Sequence, residues 1–507
     1  MKALIEKIRA HAASNPEAEA VVCNNLRLSY AELVQQIDQT AGELASLGFT
    51  RLALFAGNDL DWLLVDLAAG SLNLPVVPIP LFFSSEQRTH LLKSSGVDGV
   101  YCGRGMLLLE GSEVQSELLP GQFRRLSSPH RQVSGEKVDD QGSSGEPSPV
   151  GFSKITYTSG STGTPKGACL NSETMLTIVD SLSSALEPSR LGRHLCLLPF
   201  ATLLENVAGI FLPLWMGRAL VIEDTERLGL ISNSDFDVAA FCRAIVRYQI
   251  ESVILLPQML KLLLETSDPG TLNSLKFIAV GGGKVPAPLL EQAQKIGLPV
   301  YEGYGLTECG SCVALNTPGQ AKVGSVGKPL RHANVRIADH GEVIVTGAAM
   351  SGYLHEYLHE HLDNSAATGD IHTGDAGFID DDGYLHITGR IKNTIVSSFG
   401  RNISPEWVES AFLSSPLIHQ IAVFGEAEPY LSAVIVAADS VTDTQLADVV
   451  AQINKTLPDY AQIKAWYRSL RPFSSEDGAL TTNGKLCRSG VAALYSHHLA
   501  KHGVHAA

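Results

Sequence analysis

The chain has 507 residues, 45% of them hydrophobic and 18% charged, and a formal net charge of −15. That length leaves room for more than one domain with large buried cores, and the acidic balance without a basic stripe argues against nucleic-acid binding. Eight cysteines without framework spacing indicate free thiols in a reducing, cytoplasmic compartment.

The start, Met1-Lys2-Ala3-Leu4-Ile5-Glu6-Lys7, lacks a long apolar core, so no signal peptide is expected. Ser29-Tyr30-Ala31-Glu32 reads as a capping box, with Leu33, Ile37, Leu44 and Leu47 following near helical spacing. Residues 52–55 and 76–79 read as buried strands, with an amphipathic segment at 62–72 between them. Around 130–149 the composition shifts to Ser, Gly, Pro and charge, as in a surface loop.

That loop leads to an apolar stretch and then to Thr158-Ser159-Gly160-Ser161-Thr162-Gly163-Thr164-Pro165-Lys166-Gly167. Glycines let backbone N–H groups approach an anion, and hydroxyls and a lysine add donors, so a polyphosphate is the expected guest. The register of a Walker loop fails here, because Lys166 follows a proline and precedes a glycine. A flexible Ser/Gly linker is the bland alternative.

Further on, the most apolar region, 195–222, is interrupted by Pro199, Glu205, Asn206 and Pro213, and reads as buried protein with no transmembrane segment. Phe241, Ile245 and Tyr248 mark a helical face, and 253–256 and 275–280 mark strands, the second ending in Gly281-Gly282-Gly283. Strand and helix in alternation imply parallel sheets covered on both faces. Glu302-Gly303-Tyr304-Gly305-Leu306-Thr307-Glu308 offers an aromatic for a purine, a hydroxyl for phosphate and a carboxylate for Mg²⁺. In Thr373-Gly374-Asp375 and Gly389-Arg390-Ile391-Lys392, a carboxylate can accept sugar hydroxyls and an arginine can brace them. Strands at 421–424 and 433–437 then belong to a smaller unit, which ends with Gly484-Lys485-Leu486-Cys487-Arg488.

Two patterns compete for attention. His355-Glu356-Tyr357-Leu358-His359 matches H-E-x-x-H, but it is short and sits between nucleotide-like motifs, so adventitious metal binding is the better reading than catalytic zinc. Cys309-Gly310-Ser311-Cys312 lacks the second pair a zinc site requires and reads as packed, neutral thiols.

Taken in order, these blocks resemble the motifs of the adenylate-forming (AMP-binding) superfamily. The resemblance implies an α/β fold: a large N-terminal domain of layered α/β subdomains with a small β-barrel part (1–389), a hinge at 390–392, and a small mobile α+β C-terminal domain (393–507). It implies ATP and Mg²⁺ as cofactors and CoA as co-substrate. Thr158, Ser159, Gly160, Ser161, Thr162, Gly163, Thr164 and Lys166 would hold phosphates. Gly282, Glu302, Gly303 and Tyr304 would line the adenine site, and Asp375 and Arg390 the ribose. Thr307, Glu308 through magnesium, and Lys485 would act at the α-phosphate, with Lys392 as the hinge.

The run 397–406, with Gly400, and Leu198-Pro199-Phe200-Ala201-Thr202-Leu203-Leu204-Glu205 look most like long-chain fatty acid–CoA ligases, except that Thr202 stands where a histidine is usual. The implied activity is formation of acyl-AMP from a medium- or long-chain fatty acid, then of its CoA thioester. A stand-alone adenylation enzyme that loads a carrier protein is the alternative. A non-catalytic nucleotide-binding relative is disfavoured by the presence of Lys166, Glu308, Asp375, Arg390 and Lys485.

Overall fold

The computed structural model describes residues 1–106, 112–115, 121–126, 152–158, 165–232, 235–266, 268–354, 369–399, 401–481, 484–500 and 505–506. Two large sheets dominate the N-terminal part. One has nine strands in the order Lys328–Pro329, Ala314–Leu315, Val300–Tyr304, Phe277–Val280, Ser252–Leu255, His194–Cys196, Leu220–Ile222, Glu19–Cys23, Leu26–Ser29. Its central six strands are parallel. Runs such as Ser-Val-Ile-Leu at 252–255 and Leu-Val-Ile at 220–222 are buried at every position, the pattern of strands covered on both faces. The second sheet has eight strands and contains Leu52–Phe55, Val76–Pro78 and the adjacent Lys154–Thr158 and Lys166–Leu170.

The Ser29 capping box is present, with Ser29 and Glu32 each accepting the other's backbone N–H, and it opens the helix Tyr30–Leu47. The segment expected to be amphipathic at 62–72 is not: the helix Leu60–Ser71 buries every residue from Trp62 to Gly70. It lies between layers, so no face reaches solvent. Asp66 and Lys154 make it fit, because each is 3% exposed and the ammonium lies 2.9 Å from both carboxylate oxygens.

The part expected as a small barrel is built on a four-stranded antiparallel sheet, Ala333–Ile337, Glu342–Gly347, Asp370–Ile379 and Leu385–Arg390. The small C-terminal domain has its own core. Ile421, Ile435 and Trp466 of its sheet pack on Phe412 and Val450 of the helices Pro405–Leu413 and Asp443–Asn454. The region 195–222 is interior protein and contains a π-helix, Glu205–Phe211. That wider turn depends on Gly209, where a Cβ would sit 2.7 Å from Glu205 Cδ. Among the described residues no helix is long and apolar enough to cross a membrane.

Candidate active site

The carboxyl ends of the parallel strands open into one continuous cavity of about 2270 Å³, whose lining includes Lys166, Gly282, Tyr304, Thr307, Glu308, Asp375, Arg390 and Lys485. In open parallel sheets this is where ligands bind. Gly281-Gly282-Gly283 ends one strand, and Gly282 takes φ +79°. The next strand ends at Tyr304. Its following turn requires Gly305, since a Cβ there would fall 1.6 Å from the Ser311 carbonyl oxygen. The turn carries Thr307 and Glu308 into the cavity on a short 3₁₀ segment.

Asp375 and Arg390 face each other across adjacent antiparallel strands, with Arg390 Nε 2.9 Å from Asp375 Oδ1. Tyr304 donates its hydroxyl to Asp375 Oδ2 at 2.6 Å, and Arg390 is braced by the Thr373 carbonyl at 2.8 Å. Burial lifts the Asp375 carboxyl above its ordinary range, although Arg390, Tyr304 and Lys485 pull it back. A buried carboxylate flanked by an arginine and an aromatic is suited to a sugar's vicinal hydroxyls and the base beside them.

Tyr353 connects the phosphate-loop strand to this turn. It pairs with Ala168 across the sheet edge, its ring lies 5.4 Å from Lys166 Nζ, and its hydroxyl donates to Glu308 Oε1 at 2.6 Å. Sequence reasoning gave Tyr353 no role, because the contact spans 45 positions and no motif contains it. The loop residues Ser159, Gly160, Ser161, Thr162, Gly163 and Thr164 lie outside the described residues, as do Gly400, the loop at 130–149 and the H-E-x-x-H at 355–359.

Lys485 reaches the same cavity from the C-terminal domain. Its ammonium is lowered below the ordinary lysine range by desolvation in the cleft and by Arg390, against the opposing pull of Asp375 and Glu308. Two cations facing one space disfavour each other, and an anion between them would relieve both. That is the electrostatic signature of a polyphosphate site, and Glu308 beside it supplies the hard oxygen that Mg²⁺ requires.

Arg488 fixes the lysine's loop by pairing with Glu406 at 2.9 Å and with Glu409. Glu409 is buried, which pushes its carboxyl up to about 7. Glu302 also lines the cavity: it is 6% exposed, accepts the Val285 N–H at 3.4 Å, and burial lifts it to about 8.

Two lysines that sequence reasoning missed hold the C-terminal domain and its connecting strand. Lys284 donates to the Ile387 and Thr388 carbonyls at 3.2 Å each. Lys261, 5% exposed, donates to the Ser415 and Ile418 carbonyls at 3.1 and 2.6 Å. Lys392 occupies a single 3₁₀ turn, Ile391–Asn393, between the large sheets and the C-terminal unit. Cys309 and Cys312 are buried, and burial pushes the Cys312 thiol up to about 12. Among the described residues no cluster of three metal-ligating side chains occurs.

The model of a family described as AMP-binding enzyme matches residues 8–355, and one described as AMP-binding enzyme C-terminal domain matches 392–502. A 2-succinylbenzoate–CoA ligase of Bacillus licheniformis is 28% identical over 451 residues, covering 82% of this chain and 86% of the relative. A long-chain-fatty-acid–CoA ligase of Mycobacterium bovis is 34% identical over 238 residues, 42% of this chain and 39% of that one. Among solved structures, the o-succinylbenzoate CoA synthetase of Bacillus subtilis in complex with its acyl-adenylate intermediate is similar with TM-score 0.74. It is 22% identical and covers 96% of this chain and 97% of that one. At that identity the structural likeness speaks for the fold.

Proposed function

The chain belongs to the AMP-binding enzyme family, and from that premise we propose that its acid has a medium or long apolar body. The protein is an AMP-forming acid–thiol ligase: it activates a carboxylic acid to acyl-AMP at the expense of ATP with Mg²⁺, then forms the CoA thioester. The observation carrying the acid's identity is the character of the cavity beyond the nucleotide residues. Leu182, Leu186, Leu198, Ala208, Leu212 and Ile254 line it, a surface that rewards burial of methylenes at roughly 0.8 kcal/mol each.

In this reading Lys485 and Thr307 aim donors at the α-phosphoryl oxygens, where charge builds as the carboxylate attacks. Glu308 holds magnesium, which when bound neutralises phosphate charge. Asp375 and Arg390 hold the ribose, Tyr304, Gly303 and Gly282 flank the base, and residues 158–166 retain the departing phosphates. Glu302 lines the adenine site with Tyr304, Gly303 and Gly282. The division at 1–389, 390–392 and 393–507 belongs to the same reading, with Lys392 as pivot.

The test is pyrophosphate release by the purified protein over fatty and aryl acids, each with and without CoA. Turnover with fatty acids that requires CoA is the expected result. Stoichiometric release unaffected by CoA would point to a carrier protein as acceptor, and preference for aryl acids would remove the apolar-chain reading.

Lys261 bears on the two steps unequally. Its ammonium is buried against carbonyls of the C-terminal domain while Lys485 faces the nucleotide residues. If the second step turns that domain about Lys392, these bonds exist only in the first. Lys261→Met should therefore slow acyl-AMP formation roughly tenfold, the scale for losing hydrogen bonds to a charged group. Thioester formation from presynthesised acyl-AMP should change much less. Equal slowing of both would refute a latch specific to adenylation.

A further inference from the structure

The floor of the acid channel is three parallel strands whose alternate side chains face it. His194, Ser252 and Phe277 stand in register as one row, and Ile254 with Ala279 in the next. Leu256 and Gly281 come next at the carboxyl ends, beside the nucleotide residues, and all of these line the one cavity. Rows are two residues apart, so the first lies roughly 13 Å from the last at about 3.3 Å per residue. Leu182, Leu186 and Met216 wall the space above. The channel is thus apolar along its length and polar at its far end.

Arg218 closes that end. The Ala219 carbonyl accepts the His194 backbone N–H at 2.9 Å, which places Arg218 at the same sheet edge, and it lines both the channel and a depression on the outer surface. Among the described residues its guanidinium makes no hydrogen bond or ion pair, and its Nε is buried without an acceptor. Of the neighbouring carboxylates, Glu251 is engaged elsewhere, whereas among the described residues neither oxygen of the buried Glu205 has a hydrogen-bond partner. Glu251 pairs with Lys276 at 2.9 Å and accepts the Gly192 N–H at 2.6 Å, and burial drives the Glu205 carboxyl towards its neutral form. His194, 5% exposed, shares Nδ1 with Ser252 Oγ at 3.0 Å, while Nε2 has no hydrogen-bond partner and lies 4.0 Å from Glu205 Oε1. Arg218 Nε and His194 Nε2 are thus buried polar atoms left unpartnered at the end of an apolar channel, which is costly unless a ligand completes them.

We propose that the acid carries a second carboxylate at its far end and that Arg218 binds it, with His194 and Ser252 beside it. The substrate class is an α,ω-dicarboxylic acid with an apolar body of medium length, activated at one end only. This deepens the ligase reading above and rests on it for the identity of the reacting end.

The experiment is calorimetric binding of decanoate and decanedioate to the full chain, read as the ratio of their affinities. Wild type should favour the diacid roughly ten- to hundredfold, the range for one charged hydrogen-bonded pair. Arg218→Met should bring the ratio close to one, and Arg218→Lys should restore part of it. Should the methionine variant fail to fold, judged by its Tm, Arg218→Lys and Ser252→Ala must each still reduce the ratio. A wild type without preference for the diacid, or a preference that survives loss of Arg218, overturns the proposal. CoA-dependent pyrophosphate release with the same acids tests the ligase reading separately: absent turnover counts against that reading, while the binding ratio still decides the role of Arg218.

Discussion

Lys485→Ala is expected to cut acyl-AMP formation by roughly 10²–10³, the scale for removing one donor aimed at developing charge. The lysine is held in place before any ligand binds. Its loop is closed by the Thr481 N–H on the Lys485 carbonyl at 2.7 Å and the Lys485 N–H on Thr481 Oγ1 at 3.1 Å, and Arg488 anchors the next turn of chain to Glu406 and Glu409. Alanine leaves these backbone bonds intact, so the loss reports the ammonium and not the loop. Because desolvation and Arg390 lower its pKa, the ammonium loses its proton at a lower pH than a free lysine. With ATP limiting, where the profile reports the free enzyme, adenylation should accordingly decline on the alkaline side below about pH 10.4, the value for an unperturbed lysine. In Lys485→Arg that decline should disappear, since the guanidinium stays charged. ATP–pyrophosphate exchange measured across pH reads both effects. Near-normal exchange in the alanine variant would remove Lys485 from the first step.

Local rules made the elements legible where each carried its own information. The Ser29 cap needs only Glu32 three residues on, and the strands Ser252–Leu255 and Phe277–Val280 announce themselves as short apolar runs before glycine or proline. The segment 62–72 misleads because Asp66, the one charge in an apolar run, looks like the mark of a polar face. In the fold Asp66 turns inward to Lys154, 88 positions away. The π-helix at 205–211 gives no periodic signal, since its geometry answers to Gly209 and the packing around it.

The same distinction governs the site. Tyr304, Thr307, Glu308, Asp375, Arg390 and Lys485 sit in short blocks whose chemistry can be named residue by residue, and the fold brings these blocks to one cavity. Tyr353, Lys261 and Arg218 cannot be found that way. Tyr353 meets Glu308 across the edge between two sheets, and Lys261 meets carbonyls 154 and 157 positions on. Arg218 is distinguished by the partner it lacks, which only coordinates reveal.

Asp66→Asn is the substitution expected to destabilise the fold most, by about 3–5 kcal/mol, because it leaves a buried charge uncompensated. Asparagine keeps the volume, so the loss is electrostatic. Lys154 Nζ reaches both Asp66 oxygens and Asn206 Oδ1, and lies over the rings of Trp62 at 5.6 Å and Phe211 at 4.9 Å. Those rings and Asn206 attract the ammonium but cannot neutralise it. Burial already lowers the Lys154 pKa against the pull of Asp66, and without Asp66 it must fall further. Between that lowered value and about 10.4 the unfolded chain binds more protons than the folded one, so stability rises with pH there. The deficit of Asp66→Asn should therefore shrink as pH rises, in urea denaturation compared at neutral and alkaline pH. Lys154→Met combined with Asp66→Leu should recover part of the loss by removing both charges, the remainder reflecting the stranded amide of Asn206. A deficit independent of pH, or a double variant no more stable than Asp66→Asn, would mean that packing and not the ion pair joins this helix to the phosphate-loop strand.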